Sequence, residues 1–269
     1  MARSANPTVS IVIPARNEAR NLEIVLPRLP DVEQIILVDG NSVDGTVEAA
    51  QRARPGITVI RQTRTGKGNA LVCGFEAAKG DIVVMFDADG SADPEEIPAF
   101  INALVGGADF AKGTRFHPAG GSEDITPLRR AGNGALNLLT NILFRTKFSD
   151  LCYGYNAFWR DIIPVLGLPP GLDGERGDSM RWGDGFEIET VLNCRVAAAS
   201  LSISEVPSIE RQRIFGESNL RTFADGFRVL VTIATEWRRH RTAGTAGRVY
   251  ALAGDVHALT GGIAVEEAA

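Results

Sequence analysis

The chain has 269 residues, enough for one large domain or two small ones that bury a sizeable core without disulfides or metals. A hydrophobic content of 44%, a charged content of 23% and a net charge of -5 describe an ordinary soluble globular protein. They exclude disorder, collagen and coiled coil, and the acidic balance argues against a nucleic-acid binder. Three cysteines, Cys73, Cys152 and Cys194, are widely spaced and odd in number, so neither a disulfide framework nor a zinc site is expected. A reducing cytoplasm is the simplest compartment. No apolar run approaches the ~18 residues that span a bilayer, and Met1 to Pro7 lacks the apolar core of a signal peptide.

From residue 8, short apolar runs alternate with helical patterns. Val9 to Ile13 is β-branched and ends at Pro14, which predicts a buried strand. A helix follows over Asn17 to Arg28, with Leu22, Val25 and Leu26 at helical spacing. Gln34 to Val38 is the second strand, Asp44 to Arg54 the next helix, and Ile57 to Ile60 the third strand. Gly68 to Ala78, Asp81 to Phe86, Pro94 to Leu104 and Ala108 to Ala111 continue the alternation. Such a rhythm predicts an α/β fold: a mostly parallel central sheet flanked by helices on both faces. Ligands of these sheets sit beyond the carboxyl ends of the strands.

After about residue 112 the rhythm breaks. The loop His117 to Thr126 leads into a helix over Pro127 to Phe144. Tyr153 to Trp159 reads as a strand, Gly167 to Gly185 as a glycine-rich stretch, Glu187 to Ala197 as a helix and Leu201 to Val206 as a strand. Pro207 to Arg221 has little periodicity and reads as a loop. Phe223 to Arg239 predicts an amphipathic helix with Phe223, Phe227, Leu230, Val231, Ala234 and Trp237 near one face. No linker separates two domains.

The segment Asp81 to Pro94 carries the most chemistry. A strand delivers Asp87-Ala88-Asp89 straight into a turn at Gly90. Two carboxylates at i and i+2 can reach one cation if the chain leaves its pleat there, and oxygen ligands shared with substrate phosphates suit Mg²⁺ or Mn²⁺. The alternative is a solvated loop, since an isolated Asp-x-Asp is common. Asp93 is expected to cap the helix that opens at Pro94. Three further segments fall at the same carboxyl edge: Pro14-Ala15-Arg16-Asn17-Glu18, Val38-Asp39-Gly40-Asn41-Ser42, and Gly66-Lys67-Gly68-Asn69-Ala70-Leu71. The last has only two glycines of a dinucleotide fingerprint, and no Ser or Thr follows Lys67 as in a P-loop. Without a ligand it is a helix-start turn, and Asp44 and Thr46 read the same way.

Together the four segments resemble glycosyltransferase family 2 and its GT-A nucleotide-sugar fold, closely over residues 8 to 115. Gly113-Thr114-Arg115-Phe116, Asp150 to Phe158, Glu205-Val206-Pro207 and Arg213 to Leu220 are similar to its polyprenyl-phosphate branch, which includes dolichyl-phosphate mannose synthase. The resemblance implies one domain with a nucleotide-sugar half (8–115), an acceptor-side half (116–240) and a C-terminal tail (241–269). It also implies that Pro14, Ala15, Asn17, Glu18, Lys67 and Ala88 line the nucleotide pocket and that Asp39 accepts a hydrogen bond from the base. Asp87 would face ribose and metal, and Asp89 would hold the metal that bridges the diphosphate. A leaving nucleoside diphosphate concentrates negative charge, which a cation and backbone donors stabilise. The chain departs from the branch at Gly90 and Ser91, where Leu and Gln are common.

On the acceptor side the candidates are Arg115, Arg129, Arg130, Arg211 and Arg213, because guanidinium binds phosphate bidentately. Arg115 and Arg213, in the branch motifs, join Asp89 as the expected catalytic residues, and Ser218 lies in the same motif. From Glu205 to Arg248 eight Arg stand against five Asp or Glu in a chain of net -5. The basic end Trp237 to Arg241 suits an anionic membrane surface or, equally, a charged helix end beside the core. A hydroxyl acceptor needs a base, for which Asp150, Asp184, Glu187 and Glu189 are candidates, although Asp150 and Glu187 equally suit loop anchoring. A phosphate acceptor arrives already ionised. No catalytic triad is expected from the isolated His117, His240 and His257.

The resulting expectation is a metal-dependent, inverting glycosyltransferase. It would move sugar from a GDP- or UDP-linked donor to a polyprenyl phosphate, in the cytoplasm or at the inner membrane face. The alternatives are transfer to a soluble hydroxyl acceptor, or a non-catalytic nucleotide-sugar-binding subunit, against which the intact Asp87 and Asp89 speak.

Overall fold

The first half of the chain builds four strands with helices between them: β1 (Val9–Ala15), α1 (Ala19–Val25), β2 (Gln34–Asp39), α2 (Thr46–Ala53), β3 (Thr58–Arg61), α3 (Lys67–Ala77) and β4 (Ile82–Met85). A 3-10 turn at Pro94–Glu96 then opens α4 (Ile97–Val105), which returns the chain to β5 (Phe110–Thr114). These and the elements below come from a computed structural model that describes residues 3–172, 177, 179–216 and 226–242. Ser218, Phe223, the end of the Arg213 to Leu220 motif and the tail from residue 243 lie outside them.

The expected helix over Asn17 to Arg28 starts two residues later and tightens into a 3-10 turn at Leu26–Arg28, where Pro27 removes a helical donor. The first strand runs through Pro14 rather than ending before it. β4 pairs with β1 only as far as Val12↔Met85, so Pro14 lies past that ladder and its missing N–H breaks no bond there. Its other neighbour, β2, pairs on to Ala15↔Asp39 and so carries both chains to the same carboxyl edge.

The second half supplies β6 (Gly121–Ser122), α5 (Pro127–Phe144), β7 (Asn156–Trp159), α6 (Ile163–Leu166), α7 (Ile188–Ala198), β8 (Ile203–Pro207), β9 (Ile209–Glu210) and a final helix, α8, at 226–242. One seven-stranded sheet results, in the order β3-β2-β1-β4-β7-β5-β8. All its pairs are parallel except those of β7, which runs antiparallel between β4 and β5. The strand expected from Tyr153 begins only at Asn156; Tyr153 to Tyr155 lie outside the regular ladder, after a turn at 151–152. Strands from both halves thus share one sheet and one domain. The core is β-branched and aromatic: Ile11, Ile36, Val83, Val84, Phe110 and Phe158 have no exposure. Close approach of α3 to β1 depends on Gly74, where a Cβ would meet Val12 Cγ1 at 2.2 Å.

α5, α7 and α8 share a smaller core of Phe144, Phe148, Leu151, Cys194 and Ile233. The apolar face expected on α8 is not the one it buries. Thr232, Ile233 and Glu236 point inward, whereas Phe227 is 68% exposed and Leu230 and Val231 also face out. Arg195 and Trp182 draw Glu236 inside, with bonds of 2.9 Å to each oxygen from Arg195 and 3.0 Å from the indole, and this sets the roll of the helix.

Candidate active site

The carboxyl ends of β1, β2 and β4 converge on one edge. Asn17 and Asn41 both adopt left-handed backbone, φ 59 and 61, and this tightens the turns after β1 and β2. The turns are tied together: Ser42 Oγ accepts from Asn17 N at 2.9 Å, and Asn17 Oδ1 accepts from Val43 N at 2.9 Å. Asp44 and Thr46 serve this turn and the start of α1, as read from the sequence: Thr46 Oγ1 accepts from Glu18 N, and Asp44 from Ala19 N and Thr46 N. Asp39 is buried at the end of β2, where one oxygen accepts from Ser42 N at 3.1 Å and the other lies 3.9 Å from Arg61 Nε.

After β4 the chain leaves its pleat at Asp87-Ala88-Asp89. Ala88 is buried, and the side chains of Asp87 and Asp89 keep 34% and 14% exposure. Gly90 at φ 79 makes the turn, Ser91 donates to Asp89 Oδ1 from both N and Oγ, and Asp93 caps the following turn through Glu95 N. Lys67, at the first position of α3, donates to Asp87, with Nζ 2.8 Å from Oδ1, and lies 2.9 Å from Glu189 Oε1 of α7. Burial would lower its pKa, but Asp87 and Glu189 together hold it raised, so the ammonium is firmly charged. A Cβ on Gly154 would fall 3.1 to 3.3 Å from Glu189 Oε1, Lys67 Nζ and Asp87 Oδ2, so glycine lets this backbone wall the cluster.

Asp89 has a cationic partner of its own. Arg213 spans two carboxylates, with Nη2 2.9 Å from Asp89 Oδ2 and Nη1 3.1 Å from Glu18 Oε1. Arg211 pairs with Asp93 at 3.1 Å. Among the described residues no three His, Cys, Asp or Glu side chains converge as a self-sufficient metal cage. Two carboxylates at i and i+2 just past a strand end fit instead a Mg²⁺ or Mn²⁺ whose remaining ligands would be phosphate and water.

The acceptor-side candidates among the described residues have partners of their own. Arg115 is buried, donating to both oxygens of Asp150 at 2.7 and 2.9 Å and to Glu210 at 2.9 Å, while Asn133 adds a bond to Asp150. Against burial, Arg115 keeps Asp150 below the usual carboxylate range. Asp184 is clamped by Arg64 at 2.8 and 2.9 Å, and its carbonyl accepts from Gly68 N, so the 183–185 turn sits on the Gly66-Lys67-Gly68 turn. Glu187 Oε1 accepts from Gly183 N and Gly185 N, and its Oε2 is buried without a hydrogen-bond partner. Arg129 pairs with Asp124 at 3.1 Å, and Arg130 lies over Phe116. Arg64 and Gly154 escaped sequence reading, since nothing in spacing links Arg64 to a partner 120 residues away.

The mostly parallel sheet, the Asp-x-Asp carboxylate pair and the glycine-flanked lysine define a GT-A glycosyltransferase. The model of glycosyl transferase family 2 matches residues 10–167, and the chain belongs to that family. It is 32% identical over 231 residues to the low-salt glycan biosynthesis hexosyltransferase Agl6 of Haloferax volcanii, covering 82% of this chain and 52% of that protein, so it spans about half of that relative. It is 32% identical over 222 residues to the undecaprenyl-phosphate mannosyltransferase of Micrococcus luteus, covering 79% of this chain and 87% of that one. The Mycobacterium tuberculosis glucosyl-3-phosphoglycerate synthase, crystallised with Mn²⁺, UDP and phosphoglyceric acid, aligns with a TM-score of 0.65 at 22% identity, covering 87% of this chain and 79% of that one, a likeness of fold.

Proposed function

We propose that this glycosyltransferase moves a sugar, with inversion, from a nucleoside-diphosphate donor to the phosphate of a polyprenyl phosphate. The observation that carries the reading is the half-buried Asp87–Asp89 pair after β4, flanked by Lys67 and Arg213. A Mg²⁺ or Mn²⁺ held by these two aspartates supplies charge neutralisation for the leaving diphosphate. Asp39 and the 14–18 segment receive the nucleoside, and the structural relative from Mycobacterium tuberculosis is crystallised with UDP. Lys67 holds Asp87 at a fixed angle, and Arg213 brings a forked donor to the same edge.

Occupied carboxylates favour a phosphate acceptor. Asp150, Asp184 and Glu189 are each neutralised by a buried or near-buried cation, and a phosphate monoester, with ~1.5 to 2 negative charges, needs no base. The polyprenol-phosphate relative from Micrococcus points the same way. Glu187 Oε2 accepts no hydrogen bond and has Arg228 Nε only at 4.0 Å, which favours a second reading, in which Glu187 takes a proton from a soluble hydroxyl acceptor. Radiolabelled transfer from GDP- and UDP-linked sugars to a short-chain polyprenyl phosphate, with and without Mn²⁺, tests the first reading. Transfer only to a soluble hydroxyl, lost in Glu187→Gln, would establish the second.

Peripheral membrane contact fits the same reading. α5 turns Asn133, Asn137 and Thr140 inward and leaves Leu128, Leu138 and Ile142 exposed, and α8, which packs on the same small core, leaves Phe227, Leu230 and Val231 exposed. Across the two helices the only acid is Glu236, buried with Arg195, against Arg129, Arg130, Arg228, Arg238, Arg239 and Arg241. No helix among the described residues is long and apolar enough to cross a membrane. Co-sedimentation should be stronger with phosphatidylglycerol than with phosphatidylcholine vesicles and fall with salt; equal binding to both removes the membrane from the reading.

A further inference from the structure

Residues 211–215 form a strap whose backbone is pinned on both sides of Arg213. Arg211 N donates to Ser91 O at 2.9 Å, and Ile214 N donates to Asp89 O at 3.1 Å. Ile214 packs against the turn at Gly90, where a Cβ would come within 2.5 Å of its Cδ1. This accounts for glycine at a position where the polyprenyl-phosphate branch commonly has a side chain. One residue further on, Phe215 N donates to Asn21 Oδ1 at 3.0 Å, Asn21 Nδ2 donates back to Phe215 O at 3.2 Å, and Arg20 stacks on the Phe215 ring at 3.8 Å. Asn21 Nδ2 also donates to Glu18, so the carboxylate that receives Arg213 is itself held in place.

With its backbone fixed, Arg213 has one variable, its side chain. That side chain puts a permanent positive charge on the oxygen of Asp89 that Ser91 leaves open, since Ser91 takes Oδ1 and Arg213 faces Oδ2. A divalent cation drawn to Asp89 needs that same oxygen. Like charges at one carboxylate exclude one another, and a partly exposed ion pair is weak enough to be exchanged.

We propose that Arg213 is a built-in countercation of the Asp89 site: its guanidinium competes with the divalent metal and is displaced when the metal binds. The displaced fork stays tethered at the same edge by the Ile214 and Phe215 contacts, so metal loading delivers it to phosphate oxygens. Glu18 is then a positioning residue for Arg213, holding the guanidinium in its resting place. The assignment rests on the metal reading above, and it separates two effects that a simple phosphate-binding arginine would not. Removing the guanidinium should help the metal while it harms transfer.

Mn²⁺ binding to the full chain, followed by electron paramagnetic resonance without donor or acceptor, tests this. Arg213→Ala should bind Mn²⁺ roughly two- to fivefold more tightly than the unmodified chain, the range of a partly exposed ion pair. Its sugar transfer at saturating Mn²⁺ should nevertheless fall. Glu18→Gln, which loosens Arg213 without removing it, should shift Mn²⁺ affinity in the same direction by less, and Arg213→Lys should restore part of the competition. Asp89→Asn is the separate arm: unchanged Mn²⁺ binding in that variant overturns the metal site itself. Loss of binding in Asp89→Asn, with affinity in Arg213→Ala equal to or weaker than in the unmodified chain, overturns the countercation alone. Circular dichroism and Tm, expected to be unchanged in all four variants because the strap is held by backbone bonds, exclude unfolding as the cause.

Discussion

Lys67 Nζ lies 2.8 Å from Asp87 of the strand-end carboxylate pair and 2.9 Å from Glu189 of α7, so one ammonium joins the donor edge of the sheet to the helix behind it. Removing it would leave two carboxylates facing one another across the space of a single cation. Lys67→Met should therefore lower stability by roughly 1–3 kcal/mol, between an exposed and a buried pair because Asp87 is partly exposed, and abolish most transfer. Denaturant melts and a transfer assay check both; a fully stable, active variant would remove Lys67 from the site.

Gly154 is the quiet member of that cluster. Alanine there would press on Glu189, Lys67 and Asp87 at 3.1 to 3.3 Å, contacts with mobile side-chain ends that give way without unfolding the protein. Gly154→Ala should keep Tm within a few degrees yet reduce kcat roughly ten- to hundredfold, since small misplacements at a reacting centre are costly. Steady-state kinetics beside a thermal melt separate the two effects.

Arg115 is enclosed by Asp150, Glu210 and the Tyr153 ring, which lies 4.8 Å from its guanidinium carbon. Arg115→Ala would strand the buried Asp150, and a loss of about 3–5 kcal/mol of stability is expected. A urea titration measures it. A variant as stable as the unmodified protein that has lost only affinity for the acceptor would assign Arg115 to the acceptor site rather than to the fold.

Asp39 offers a test of the nucleoside pocket. Asp39→Ala should weaken UDP or GDP binding by roughly 1.5–3 kcal/mol, as for a hydrogen bond to a charged group. Asp39→Asn keeps an acceptor for Ser42 N and separates loss of that turn from loss of base contact. Calorimetry with both nucleotides reads the difference, and unchanged affinity in both variants excludes Asp39 from the pocket.

Lys112 predicts a pH dependence. It is fully buried on β5, donates to Tyr153 O and Gly113 O, and burial pushes it down to about 8, with Asp150 and Glu205 opposing and Arg115 reinforcing. Between that value and the ~10.4 of an unfolded lysine, the unfolded chain binds more protons, so stability rises with pH across this window. The cost of the buried charge is greatest below pH 8. Relative to Lys112→Met, the unmodified protein should therefore gain roughly 1 kcal/mol between pH 7 and 9, measured by paired denaturant titrations. A pH-independent difference would mean that Lys112 is not desolvated.

The sequence alone settled what depends on neighbours along the chain. Periodicity and β-branching marked β1, β2, β4, α3, α5 and α7 close to their observed bounds, and the strand-to-turn switch marked Asp87 and Asp89. Asp93 was readable as a cap because capping is local. Tertiary structure decided the partners. Nothing near Arg115 in sequence announces Asp150 and Glu210; they meet it because β5 pairs with β7, which follows the 149–155 segment, and with β8, which leads into β9. The same holds for Arg213, which the sequence offers as a phosphate-binding residue of the acceptor side and which the strap folds onto Asp89 and Glu18. The roll of α8 was misread because amphipathicity weighs apolar residues, whereas a buried Arg195–Glu236 pair supplied the stronger constraint. Hydrophobic pattern and capping are written along the chain, but an ion pair is written across it. Its energy depends on distance and burial, which exist only after folding.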